Sequence, residues 1–585
     1  MSEKELRNYL IDIPYIENIR INESVQYKDK VYNFVIKCLI VIGESRCPLA
    51  LCIPYNWKID LFDAYWDGSN QPFIPHIDNR GKICVYDVEG TFIDYNLEGL
   101  LKQFISQTKK NLEDGITGKN KEDFLKEFNS YICCLPECIV TKLVIAEVKK
   151  SQKLYYSGAK KKLTKGVKKK ESVQSQCVFA SCNNDDFKFW SDNMPRRRGI
   201  YIYIEPDNAI YPPPFNKKIS IEYINSILEN ISGVKAIRHE FMEFHNRFVI
   251  VFEIKQNSDI TNVFGVLLKN VEFETDGSIR IKRASETIPI CIERVDKKFL
   301  LNRTSVENNV LENKKYLLIG CGSIGSYIFY DLIKSGAAEL TLVDSEVLKP
   351  ENIYRHLLGR EFLNCHKAKA LSDYAEISLP NTNIKTCICN IEEAIEEYGI
   401  NFKEYDYIIN ATGSTILNRW LNRYIWDNKI DTPVFYVWNE PLDIGSHVAY
   451  IKYGNTGCYD CFFYRNEDTG ILYDSTSYCN QNQAFTQNMY GCSGSYIPYG
   501  SMVSLQSSLL FMDILKKVAT GRIVENVIAS EKGDDYYLKN AGYRVSEKYL
   551  SQEEHIELIS GSVFKNCNCE VCKYDCIGPE DKNQN

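Results

Sequence analysis

Hydrophobic and polar positions along this chain fall into two repeating patterns. Apolar runs, continuous or alternating, predict strands at Val31–Ile42, Pro48–Ile53, Gly199–Ile204, Phe248–Ile254, Tyr316–Ile319, Leu340–Val343 and Tyr407–Ile409. Apolar residues three and four apart predict helices over Leu97–Asn111 and Ile219–Ile231, and a further one through Ile328, Leu332 and Ile333. The mixture predicts an α/β protein. Between Tyr316 and Asp344 the pattern reads strand, helix, strand, with Gly320, Gly322 and Gly325 at G-x-G-x-x-G spacing in the first turn. Glycine lets backbone approach a phosphate, the helix end supplies N–H donors around Ser323, and Asp344 closing the second strand can bind a ribose. The motif specifies a nucleotide without saying which, and a dinucleotide-binding dehydrogenase is its commoner owner.

Composition divides the chain further. At 585 residues it is long enough for several domains. The stretch Lys149–Lys170 is dominated by lysine and reads as a solvated linker. Its Tyr155 and Tyr156 leave a nucleic-acid patch as an alternative, and its lysines are also candidate self-modification sites. The domains expected are 1–148, a Lys-rich linker or loop at 149–171, a middle α/β domain at 172–298 and a C-terminal domain at 299–585. A net charge of −7 gives no overall pull towards nucleic acid or an anionic membrane. The N-terminus lacks a signal-peptide core, and no apolar run approaches the ~20 residues of a membrane helix. A cytoplasmic location without membrane contact is therefore expected. There, 22 cysteines serve as core residues, metal ligands or nucleophiles rather than disulfides. His239, Glu240 and His245 do not form a zinc-protease motif, because histidines six apart fall on different helical faces.

Cys84 lies in the irregular segment Pro72–Gly90, marked by Pro75, Asn79 and Gly81. A cysteine between Ile83 and Val85 is usually core packing. Here G-x-I-C-V follows Pro-His and precedes an amphipathic helix, and the segment resembles the active site of ubiquitin-conjugating enzymes. The resemblance implies an N-terminal ubiquitin-conjugating-like α+β domain in which Cys84 forms a thioester. The family's His-Pro-Asn is replaced: His76 stands eight residues before Cys84, and the oxyanion-stabilising asparagine is absent from its usual place. His76, Asp78 and Asn79 are the substitutes in view.

Beyond Asp344 come Asn352, Arg355 and Lys367. A dehydrogenase has no need of this amide, guanidinium and ammonium, whereas a triphosphate does. In order and spacing, Gly320, Gly322, Gly325, Asp344, Asn352, Arg355 and Lys367-Ala368 resemble the Rossmann-like adenylation domain of the ThiF/MoeB/ubiquitin-activating superfamily. That resemblance implies ATP and Mg²⁺. Asn410 and Gly413 stand where the family has aspartates, which leaves the metal ligand open. Arg303 matches a family arginine that reaches the partner subunit's nucleotide site. Cys458 and Cys461, with Cys569 and Cys572, form two C-x-x-C pairs suited to a structural Zn²⁺. Cys492, in a small-residue loop, resembles the cysteine that attacks the acyl-adenylate, with Cys479 as the alternative.

The two modules together resemble the fused proteins of bacterial CBASS anti-phage operons. The resemblance implies adenylation of a protein's C-terminus, thioesters on Cys492 and then Cys84, and ligation to lysines of acceptor proteins. It also implies a cGAS-like nucleotidyltransferase (CD-NTase) as the activated substrate and a homodimer through the adenylation domain. The rival readings are a sulfur-carrier adenylyltransferase and a non-catalytic nucleotide-binding scaffold.

Overall fold

The computed structural model describes residues 3–86, 95–158, 177–190, 195–215, 217–231, 237–242, 245–274, 279–302, 304, 309–380, 382–466, 469–488 and 495–573. It divides into two units, Met1–Asp296 and Lys297–Asn585.

The first unit begins with a helix, Glu3–Ile11, and a five-stranded antiparallel meander. Its strands are β1 (Ile16–Tyr27), β2 (Lys30–Ile42), β3 (Ser45–Ile53), β4 (Asp63–Trp66) and β5 (Lys82–Ile83). Alternation in β2 sends Phe34, Ile36, Cys38 and Ile40 to one face, where they meet Leu101, Phe104, Ile105 and Leu112 of helix Leu97–Ile116. That helix starts where the Asn96 side chain accepts the Gly99 N–H at 3.2 Å. Cys84 follows directly on β5.

Two short helices come next, Asp123–Lys126 and Phe128–Cys133, and then β6 (Ile139–Val144), β7 (Gln152–Gly158), β8 (Cys177–Ser181), β9 (Arg196–Ile204), β10 (His245–Lys255), β11 (Thr261–Glu274), β12 (Arg280–Arg283) and β13 (Glu286–Arg294). The pairing order β10-β9-β7-β8-β6-β13-β11 returns to β10, so seven strands close a ring, and β12 is appended to β11. Closure removes sheet edges. Val249 and Val251 of β10 pack with Leu143, Leu154, Tyr201 and Ile290 in one core. Phe248, Ile250 and Phe252 point the other way, into a core with Phe124, Phe128, Tyr131 and Ile132 of the short helices.

Two sequence expectations are corrected here. The stretch expected as a linker from residue 149 enters the ring as β7, paired on both sides, and Lys149 is ion-paired to buried Glu253 at 2.6 Å. Leu154 and Tyr156 alternate into the core, which outweighs the lysines around them. The remainder, 159–176, lies outside the described residues. The expectation of no disulfides also fails: Cys133 and Cys291 are bonded. Helix Phe128–Cys133 lies against β13 with a Cα–Cα distance of 5.1 Å at this pair, within the span a disulfide bridges.

The second unit is built on an eight-stranded sheet ordered β16-β15-β14-β17-β18-β19-β24-β25. The first five are parallel: β14 (Lys315–Ile319), β15 (Glu339–Val343), β16 (Asn383–Cys387), β17 (Tyr407–Asn410) and β18 (Val434–Asn439). The antiparallel edge comprises β19 (Gly445–Ile451), β24 (Val527–Lys532) and β25 (Ile556–Ser560). Two hairpins lie between, β20 (Phe463–Arg465) with β21 (Leu472–Asp474) and β22 (Gln487–Asn488) with β23 (Ser495–Tyr496). Tyr316 and Leu318 of β14 face one core with Ile328, Leu332 and Phe511, while Leu317 and Ile319 face another with Leu421 and Ile425. Both faces of the sheet are covered, as a parallel sheet requires. Strand order reverses at β14, so a crevice opens beyond the carboxyl ends of β14, β15 and β17. Among the described residues no helix is long and apolar enough to cross a membrane.

Candidate functional site

At the reversal point, Gly320 has φ +89° and would place a Cβ 2.8 Å from Thr412. A Cβ on Gly325 would lie 1.9 Å from the Gly320 carbonyl oxygen. Only glycine permits this close turn into helix Ser323–Lys334. Around Gly322 a Cβ would meet nothing within 4 Å, so there is room for a ligand beside the helix N-terminus. Asp344 accepts the N–H groups of Cys321 and Glu346, both at 2.7 Å. Burial nevertheless raises its pKa above the usual carboxylate range.

Lys367 is buried and ion-paired to Glu346. This bond, with the nearby charges of Lys367, Lys349 and Arg355, holds the carboxyl of the exposed Glu346 below its usual range. Asp344, Glu346, Lys349, Arg355 and Lys367 therefore converge. Sequence reasoning had not singled out Glu346 or Lys349, although both lie in the same turn. Arg355 rests over the Tyr499 ring, 5.2 Å from its centroid. The Arg355 carbonyl accepts the Ser323 hydroxyl at 2.6 Å, and Ser323 is also 2.7 Å from the Ser504 hydroxyl. Ser323 thus holds the turn that carries Arg355. Asn352 has a similar duty, its Oδ1 accepting the Lys349 N–H at 3.0 Å. His356, absent from the sequence-based candidates, is buried and its pKa is lowered to about 4, chiefly by desolvation. It stands neutral, Nε2 against the Cys321 carbonyl at 2.9 Å and Nδ1 accepting the Leu358 N–H at 3.0 Å. Asn410 is buried and staples β17 to Asn418 at 2.8 Å. Gly413 presents no side chain at the position of the family's second aspartate, and the metal ligand stays open.

In the first unit Cys84 is exposed. Its N–H donates to the His76 carbonyl at 2.8 Å. The His76 imidazole faces elsewhere, with Nε2 3.2 Å from Asp123 and Nδ1 3.0 Å from Glu127. These partners, Glu127 foremost, raise its pKa. Both ring nitrogens of His76 are thus engaged by carboxylates, and the residue ties its loop to Asp123 and Glu127. Asp78 accepts the Arg80 and Lys82 N–H groups at 2.8 Å, and the Asn79 amide donates to the Cys134 carbonyl at 2.9 Å. A residue sequence reasoning missed, Asn111 of helix Leu97–Ile116, donates to the Cys84 carbonyl at 2.8 Å.

Cys458, Cys461, Cys569 and Cys572 meet in one buried cluster, with all four sulfurs within 4.8 Å of one another. Sγ–Sγ distances of 3.3, 3.6 and 3.9 Å bracket the ~3.8 Å edge of a tetrahedron with Zn–S bonds of about 2.3 Å. The donor set fits zinc. Cys479 is buried, and burial with the adjacent Glu440 drives its pKa up. Arg303 and Cys492 lie outside the described residues.

Two family models match the chain: Prokaryotic E2 family B over residues 47–135 and ThiF family over residues 298–543. The chain joins an E2-like domain to a ThiF domain. Cys84 falls within the first match, and the glycine loop, Asp344, Arg355 and Lys367 within the second. The ATP-dependent ubiquitin transferase-like protein Cap2 of Escherichia coli is 23% identical over 541 residues, 84% of this chain and 87% of that one. The protein of the same name from Pseudomonas aeruginosa is 29% identical over 229 residues, 38% of this chain and only 40% of its own length. Among solved structures, E. coli MccB crystallised with ATP aligns at 15% identity and TM-score 0.31, over 46% of this chain and 69% of that one.

Proposed function

We propose that this protein is an ATP-dependent protein-conjugating enzyme. It adenylates the C-terminus of a protein substrate, carries it as a thioester on Cys492 and then on Cys84, and ligates it to a lysine. One observation carries the reading: a single chain holds both a phosphate-approach loop ringed by Asp344, Arg355 and Lys367 and an exposed cysteine in an E2-like fold.

ATP lies over the Gly320–Gly325 turn with its ribose towards Asp344. The Arg355 guanidinium forks onto phosphate oxygens, and the buried Lys367 supplies a point charge that water screens less than a surface one. The substrate carboxylate attacks the α-phosphate, and pyrophosphate leaves. AMP is then a far better leaving group than a carboxylate oxygen, so a cysteine thiolate displaces it. Arg355 and Lys367 contribute charge neutralisation at the phosphates, and Mg²⁺, when bound, would add to it. The four-cysteine cluster would hold Zn²⁺ as a structural tie. The CBASS resemblance points to a cGAS-like nucleotidyltransferase as the activated protein, and to a homodimer in which Arg303 completes the neighbouring site.

ATP–pyrophosphate exchange that requires the substrate's C-terminus tests the first step. Non-reducing gels of wild type, Cys84→Ala and Cys492→Ala test the relay. Thiol-sensitive adducts should vanish stepwise. Lysine conjugates formed by Cys84→Ala at the wild-type rate would sink the two-cysteine route.

A further inference from the structure

Acyl transfer from a thioester passes through a tetrahedral oxyanion, and a preorganised N–H donor facing that oxygen supplies much of the rate. The His76 ring pairs with Glu127 and Asp123, the Asn79 amide donates to the Cys134 carbonyl, and Asp78 would repel an oxyanion, whereas the Asn111 amide bonds to Cys84 itself. From the helix that follows Cys84, we infer that Asn111 is the donor. This rests on the reading of Cys84 as a thioester carrier.

The geometry is two-point. Gln107, one helical turn before Asn111, donates its Nε2–H to Asn111 Oδ1 at 2.8 Å. That bond fixes which end of the amide is which, so Nδ2 faces Cys84. One Nδ2 hydrogen goes to the Cys84 carbonyl at 2.8 Å. The second belongs to the same nitrogen, beside the residue whose sulfur carries the acyl group. Cys84 is exposed and Asn111 half-buried, so an amine from solvent can reach the acyl carbon while the amide stays held. In the step, the lysine nitrogen bonds to the carbonyl carbon and the π pair moves onto oxygen, where the Asn111 N–H donates. The oxygen pair then returns to re-form the C=O bond, the C–S bond breaks with its own pair leaving on Cys84 Sγ, and the surplus amine proton passes to that sulfur. The products are an amide and a thiol.

The test uses the full-length protein and a chemical acyl probe, an aryl thioester of acetylglycine, which loads Cys84 by thiol exchange. Cys84→Ala gives the blank for other cysteines. Three rates are followed by intact mass: loading, aminolysis of the loaded protein by free lysine, and alkylation of Cys84 by iodoacetamide, a displacement that forms no oxyanion. Asn111→Ala is expected to lower aminolysis on the order of 10²–10³-fold with alkylation unchanged. Gln107→Leu, which frees the amide to turn, is expected to give a smaller loss in the same rate. Aminolysis within about threefold of wild type, or alkylation that falls in parallel, overturns the assignment, since a role limited to holding the loop alters both. Wild-type protein that never loads at Cys84 overturns the underlying reading and the assignment with it, an outcome distinct from normal loading with unaltered aminolysis.

Discussion

The carbonyl of His76 accepts the Cys84 N–H at 2.8 Å, while the imidazole of the same residue points into Asp123 and Glu127. Backbone and side chain thus clamp the segment before Cys84 to the helices that follow it.

This clamp has a pH signature. The folded pKa of His76 is raised above the free value of about 6.5, first through its hydrogen bond to Glu127. Its contribution is fully present below about pH 6.5 and lost as pH rises through the higher folded value. Urea midpoints of wild type should fall relative to His76→Gln as pH rises above about 6.5, with the variant showing the flatter profile. Parallel profiles would rule the clamp out.

Lys367 is buried beside Glu346 and Asp344, so its loss removes a charge that water does not replace. Lys367→Met should reduce ATP–pyrophosphate exchange on the order of 10²-fold. Glu346→Gln should keep most of it, because Glu346 is itself an anion beside the expected phosphates. Exchange rates at saturating ATP separate the two.

Cys479 and Cys492 are distinguishable. Burial and Glu440 keep the Cys479 thiol protonated, which makes it a poor nucleophile. Cys479→Ser should form the first thiol-sensitive adduct at roughly the wild-type rate, and Cys492→Ser should not. Loss confined to Cys479→Ser would reverse the assignment.

Purified protein should contain about one zinc ion per chain by elemental analysis. Cys458→Ser and Cys569→Ser should lose it and lower the Tm by roughly 5–10 °C, whereas exposed Cys567→Ser should do neither.

The glycine turn, Asp344 and the paired C-x-x-C motifs were legible because each depends on local chemistry at fixed spacing. The cysteines met across a separation of 111 residues because each pair already carried half a tetrahedral site. Asn111 was not legible: an amide on a helix 27 residues beyond Cys84 gains meaning only when folding places it under that carbonyl. His356 was hidden likewise, since nothing local distinguishes a buried histidine from a solvated one beside Arg355. The linker expected from residue 149 failed because lysine content was weighed above the alternation of Leu154 and Tyr156.

The closed ring of seven strands has a consequence for how this protein can be inherited or transplanted. Phe124, Phe128, Tyr131 and Ile132 lie within the E2-family match yet pack on the ring, and β6 is a member of it. A cut after residue 148 would strand β6 without β8 and β13 and leave those aromatic rings in water. The portable piece is Met1–Asp296 as a whole. Recombination that exchanges the cysteine-bearing meander must carry the ring along with it.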